Sequence, residues 1–268
     1  MIAFYLSYIV SITLSLPVID PSVPFQVDYQ RVIKELVQAL ESGLGNNLHS
    51  IYLYGSVARK SAIKHRSNMD LVVAIRHTPD ARFQTLLSTI KWRFRKAFPF
   101  VTELNFQFPL VNEILQIENI ITWGFMLKHC CVCVSGDDLS TRYGEFEPSW
   151  EIAKFWNMDV EQWVVNYRKK IAAATRKDEQ IQHQIVIAKK LMRASYSLIM
   201  HKDKRWFDDP IRCGEVFLSY YPDKQQEIER LTILLSGRYI PKRSVVALLD
   251  EYGSWLISAY QKTEFRIG

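Results

Sequence analysis

Two short patterns carry the residues that could do chemistry. Gly55-Ser56 ends one apolar run, Asn68-x-Asp70 opens the next, and a loop with Arg59, Lys60, Lys64 and Arg66 lies between them. A glycine lets the backbone turn tightly and approach a phosphate. Ser56 offers a hydroxyl and an N–H at a helix start, where anions are favoured. Side chains alternate along a strand, so residues 68 and 70 point the same way. Two oxygen ligands side by side suit Mg²⁺, which binds carboxylates together with substrate phosphates. The four loop cations read equally well as charge for a phosphate and as a solvated loop. The segment from Tyr52 to Ile75 thus has the means to hold a triphosphate and its metal.

Strands are needed to present these residues. His49–Tyr54 is rich in strand formers and stops at Gly55, and Met69–Ile75 reads as a second strand. Val101–Phe108 is a third, with Val101, Glu103, Asn105 and Gln107 on one face, and Pro109 ends it. Cys130–Val134 is a short fourth. Around them, Val27–Leu44 has helical spacing at Val32, Ile33, Leu36, Val37 and Leu40. Asp80–Phe98 is a helix with a basic side (Lys91, Arg93, Arg95, Lys96), and Val111–Leu127 is a further helical stretch. Asp137-Asp138 reads as a turn and helix cap.

Beyond Gly144 the pattern changes. GEFEPS is a linker, and from about Ser149 the periodicity is helical with no strand. The spacing predicts helices over Met158–Thr175, Glu179–His201, Pro210–Tyr220, Asp223–Leu235 and Lys242–Tyr260, with prolines at starts where they cost little. The expected fold class is α+β: a small mixed β-sheet domain with flanking helices over residues 27–145, then an all-helical bundle over 149–262.

Composition narrows the function classes. Of the 268 residues, 48% are hydrophobic and 23% charged, values that exclude wholesale disorder, collagen-like repeats and a polytopic membrane protein. The net charge of +6 fits a polyanionic substrate such as a nucleotide but is too small to point to nucleic acid, which would rest otherwise on the Lys91–Lys96 helix alone. Residues 1–26 form an apolar N-terminal extension. Its uncharged stretch Met1–Pro17 reads as extra residues from an early start codon, as a short hydrophobic anchor, or as a poor signal peptide. A membrane role follows only under the anchor reading. Four cysteines, three of them in HCCVCV, lack zinc spacing and read as small buried hydrophobes in a reducing, cytoplasmic compartment. His183 and His201 have no ligand partners at metal spacing, and Trp206 and Tyr220-Tyr221 read as packing residues.

The segment GSVAR…SNMDLVV resembles the nucleotidyltransferases of the DNA polymerase β superfamily, whose signature is Gly-Ser, a spacer and Asp-x-Asp. VTELNF resembles the family strand that brings a third carboxylate, and VSGDDL its last strand and turn. IAKKLMRASYSLIM and RWFDDPIRCGEVFLSYYP resemble the helical domain of the smaller bacterial members, which include antibiotic-modifying enzymes and antitoxin-like transferases. The resemblance implies that a nucleoside triphosphate such as ATP binds with Mg²⁺ and that a nucleoside monophosphate passes to a hydroxyl on a small molecule or protein. It assigns Gly55, Ser56 and Arg59 to the phosphates, Asp70 and Asn68 to metal, and Glu103 or Asn105 to the acceptor. Lys190 and Arg193 would close over the nucleotide from the helical domain.

The departures from the pattern are specific. Asn68 stands at the first carboxylate position and Asn105 at the third, the spacer is eleven residues long, and Lys60 occupies a position where many members have a second glycine. An amide brings a metal no charge and cannot act as a general base. Two function classes follow: a Mg²⁺-dependent nucleotidyltransferase, or a protein of that fold that binds nucleotide or a partner and does no chemistry.

Overall fold

The computed structural model describes Leu16 and residues 18–267. The apolar stretch Met1–Pro17, apart from Leu16, lies outside the described residues. Residues 18–145 form one compact unit, and residues 146–267 form the bulk of a second.

In the first unit a helix α1 (Val27–Leu44) buries Tyr29, Val32, Ile33, Leu36 and Leu40, and Gly45 at positive φ ends it. Next come β1 (Leu48–Tyr54), a one-turn helix α2 (Gly55–Ala58), β2 (Met69–Ile75), helix α3 (Phe83–Ala97) and β3 (Leu104–Gln107). A short α4 (Val111–Ile114) precedes β4 (Cys131–Gly136). The sheet order is β3-β2-β1-β4, with β1 antiparallel to both β2 and β4 and β3 parallel to β2. A parallel pair needs a crossover, and α3 supplies it.

Alternation divides the sheet into two faces. Ile51, Leu53, Met69, Leu71, Val73, Ile75 and Leu104 join α1 and the Ile90 and Phe94 side of α3 in one apolar core. Tyr54, Asp70, Asn105 and Gln107 occupy the opposite parity. The apolar face fixes the register, because a one-residue slip would turn Asp70 into the core.

The third strand is shorter than its alternation predicts. Val101–Glu103 stay outside it, although the Met69 N–H still donates to the Glu103 carbonyl (2.9 Å) and the Thr102 N–H to Ser67 (3.1 Å). The helical stretch expected over Val111–Leu127 is broken: one turn of α-helix, a 3₁₀ turn, then π-type turns over Ile120–Cys130. β-branched Ile117, Ile120, Ile121 and Thr122 weaken helix propensity there. Asp138 caps the turn after β4 by accepting from the Ser140 N–H (2.9 Å).

The second unit is helical: α5 (Trp150–Asn157), α6 (Val160–Ala173), α7 (Lys177–Asp203), α8 (Pro210–Leu218), α9 (Gln225–Leu235), α10 (Lys242–Leu248) and α11 (Ser254–Ile267). α7 packs against α5, α6, α8, α9 and α11, and its second half is buried almost all round. Helix α5 was not expected from periodicity. Its start is marked by Ser149, which accepts from the Ile152 N–H (3.3 Å). The helix expected over Lys242–Tyr260 is interrupted by a π turn at Leu249–Gly253. There Gly253 lies so close to α6 that an added Cβ would stand 3.0 Å from Val164.

Candidate functional site

The site is built where β1 ends beside the start of β2. Tyr54 pairs with Asp70 across these strands, and Asp70 pairs with Asn105 on its other side. One residue past Tyr54 the chain turns at Gly55, whose φ is +75°. A Cβ added to Gly55 would stand 2.6 Å from Asp70 Oδ2. Both the backbone conformation and the approach of the carboxylate therefore require glycine.

Ser56 follows in the single turn of α2, and the Arg59 N–H closes that turn on the Gly55 carbonyl (3.1 Å). Lys60 adopts the left-handed conformation (φ +58°), which gives a conformational reason for glycine at this position elsewhere. Its ammonium donates to the Asp20 carbonyl (2.6 Å) and lies over the Phe25 ring, so it is held away from Asp70 by local contacts.

Asp70 has two neighbours on one oxygen. Asn68 Nδ2 donates to Asp70 Oδ1 at 2.7 Å, and Asn105 Nδ2 donates to the same atom at 2.8 Å. The amides face the carboxylate nitrogen-first, since the reverse would set acceptor against acceptor. Burial pushes the Asp70 carboxyl above its ordinary value. The Asn105 hydrogen bond and the Arg59 charge pull it back, while the Glu103 charge adds to the rise. Tyr54 and Gln107 extend the polar face, with Gln107 Nε2 donating to the tyrosine oxygen at 2.9 Å. The parity of Gln107 with Asn105 was readable in the sequence; the partnership with Tyr54 needed the strand order.

Glu103 is exposed, and no side-chain hydrogen bond or ion pair of its carboxylate is found among the described residues. It faces a cavity on the α3 side. Lys190 and Arg193 belong to the helical unit, where each is engaged. Lys190 Nζ donates to Asp159 Oδ1 (2.6 Å) and the Trp156 carbonyl (2.9 Å) and lies 5.3 Å from the Trp163 ring centre. Arg193 donates to the Asp208 carbonyl (2.9 Å) and pairs with its carboxylate (3.1 Å).

The donor set does not fit a two-metal centre. Among the described residues no three His, Cys, Asp or Glu side chains stand together as metal ligands. A pair of close divalent cations needs several carboxylates, and here Asp70 is joined by two neutral amides that add no negative charge.

A crystal structure of spectinomycin adenyltransferase from Enterococcus faecialis, with ATP and spectinomycin, matches with a TM-score of 0.55 over 86% of this chain and 99% of that one. The chain shares its overall fold with that adenyltransferase. Identity is 14%, so the likeness extends to the fold and carries no residue roles. No protein-family model matches the chain, and no curated protein matches it. No described helix is long and apolar enough to cross a membrane.

Proposed function

We propose that this nucleotidyltransferase-fold protein binds a nucleoside triphosphate at the Gly55–Ser56 turn and works as a nucleotide-responsive binding module, without two-metal transfer. The observation that carries the reading is the pair of amides on Asp70 Oδ1. In a two-metal transferase that oxygen would face cations. Here it is already served by two hydrogen-bond donors, and neither amide adds negative charge. The glycine turn, Ser56 and Arg59 keep features suited to phosphate, and they support nucleotide binding without demanding a catalytic metal.

A second reading is favoured by Asp70 Oδ2, which takes neither of the two amide hydrogen bonds. In that reading the protein is a Mg²⁺-dependent nucleotidyltransferase acting on a hydroxyl acceptor, with Asp70 as the metal carboxylate.

Calorimetric titration with each of the four nucleoside triphosphates, with and without Mg²⁺, separates the two. Under the first reading a triphosphate binds, Mg²⁺ changes the affinity by less than about tenfold, and Ser56→Ala with Arg59→Ala abolishes binding. Binding that requires Mg²⁺ and disappears in Asp70→Ala supports the second reading. No triphosphate binding would refute both.

A further inference from the structure

Outside the Asp70 cluster, α3 and the segment leading into the edge strand β3 flank a partly open cavity of about 270 Å³. Its floor is apolar: Phe94, Phe98 and Leu104 are buried residues of the core beneath. Its rim is charged. Lys91 and Arg95 stand one helical turn apart on the same face of α3, and Glu103 faces them from the lead-in to β3. All three rim residues are exposed, and none makes an ion pair among the described residues. Lys91 also lies 5.8 Å from the centre of the Phe106 ring, which carries the aromatic surface toward the rim.

We propose that this cavity binds a ring-sized small molecule bearing one carboxylate and one hydrogen-bond donor. The size argument is direct, because a cavity of about 150 Å³ accepts a benzene ring; the remaining volume has room for two substituents. The charge argument fixes their kinds. Two cations against one anion give the rim a net charge of +1, which selects a monoanion. Arg95 and Lys91 supply the donors for its carboxylate. Glu103 only accepts, so it rewards an N–H or O–H on the far side of the ring and disfavours a second acid. The apolar floor removes the ring from water, and this is the usual composition of a small-molecule site: mostly apolar lining with a few convergent polar groups. The site does not depend on what occupies the Gly55–Ser56 turn.

The test is a titration of the full-length protein with 4-aminobenzoate, benzoate and the neutral benzamide, read by calorimetry and by amide chemical shifts. The expected order is 4-aminobenzoate tightest, benzoate next and benzamide weakest, with about tenfold between the first and last. The shifted amides should lie in α3 and in residues 101–107. Lys91→Ala with Arg95→Ala should cost both anions about tenfold and leave the melting temperature unchanged, because both side chains are solvent-facing. Glu103→Gln should narrow the gap between 4-aminobenzoate and benzoate. Equal binding of benzamide, undiminished binding in the double variant, or shifted amides elsewhere in the chain would overturn the proposal, as would the absence of binding by any of the three at millimolar concentration.

Discussion

Asp70 and Lys190 are both charges withdrawn from water, and the two units settle them differently. Lys190, whose side chain is 12% exposed, meets an opposite charge on Asp159 and a carbonyl from Trp156, with the Trp163 ring alongside. Asp70 meets two neutral amides on one oxygen. Burial depresses the Lys190 ammonium below its ordinary value and raises the Asp70 carboxyl above its own, so each charge carries a desolvation cost. The ion pair closes the account around Lys190: local charge is zero and the contact is structural. The amides stabilise Asp70 with dipoles and leave its negative charge uncancelled. A charge held mainly by dipoles, and offset only in part by Arg59, is chemically more open than an ion pair, and on the proposed function it sets the strand ends around Asp70 apart from the helical unit.

The comparison breaks most sharply if the dipoles become charges. Asn68→Asp with Asn105→Asp would bring three carboxylates around the position of one oxygen. Without metal this should destabilise the protein by about 3–5 kcal/mol, the range for uncompensated buried charge, measured by urea unfolding in chelator. Millimolar Mg²⁺ should restore much of the loss, because binding to the folded state alone stabilises it. A double variant as stable as the parent, and indifferent to Mg²⁺, would show that the strand ends are too well solvated for their charges to matter.

Gly55→Ala tests the other side of the carboxylate. The left-handed conformation and the 2.6 Å approach to Oδ2 together should cost roughly 2–4 kcal/mol. Part of that loss is contact with Asp70, so adding Asp70→Ala should recover it in a double-mutant cycle. Strict additivity would remove Asp70 from the explanation and leave backbone strain alone.

Lys190→Met should do less. Methionine keeps the packing of the stem, and Asp159, whose side chain is 46% exposed, can regain water. A loss of about 1 kcal/mol in thermal or urea unfolding is expected. A loss as large as that of Gly55→Ala would mean that the ion pair organises the helical unit, and the contrast with Asp70 would weaken.

The unequal legibility of these regions has physical causes. The helix at Val27–Leu44 and the strand at Met69–Ile75 were readable residue for residue, because apolar periodicity matched the burial they now show. The juxtaposition of Asn68 and Asp70 followed from the two-residue repeat of a strand. That Asn105 and not Glu103 meets Asp70 depends on the parallel register of β3, because a two-residue shift, which keeps the same face, would exchange them. The direction of the amides, nitrogen toward the carboxylate, is a property of the assembled pair and has no trace in either segment. Lys190 and Arg193 share a basic helix face in sequence, yet their partners Asp159 and Asp208 come from other segments, which a helical repeat cannot announce. The π-type turns at Ile120–Cys130 and Leu249–Gly253 escaped for a related reason, since apolar spacing alone does not separate five-residue from four-residue bonding.

The smallest expected effect is also the one that isolates the Asp70 charge. In Asp70→Asn the Oδ1 acceptor for both amides is kept and only the charge is removed. Because the folded-state carboxyl titrates above its ordinary value of 3.8, the folded protein takes up its proton more readily than the unfolded chain. The stability associated with that proton is fully present below the unfolded value and is lost as pH rises through the raised folded one. Asp70 therefore carries a cost at neutral pH that acid relieves. Asp70→Asn should be slightly more stable than the parent at pH 7, by less than the Lys190→Met loss, and the two should converge in acid. The difference should appear in unfolding midpoints compared between about pH 4 and pH 6. Asn105→Ala should act in the opposite sense: removing one donor raises the carboxyl further and widens the pH range over which the cost is felt. Parallel pH profiles in Asp70→Asn and the parent would mean that the two amides and Arg59 compensate the half-buried carboxylate fully, and the start of β2 would then be as closed electrostatically as the Lys190–Asp159 pair.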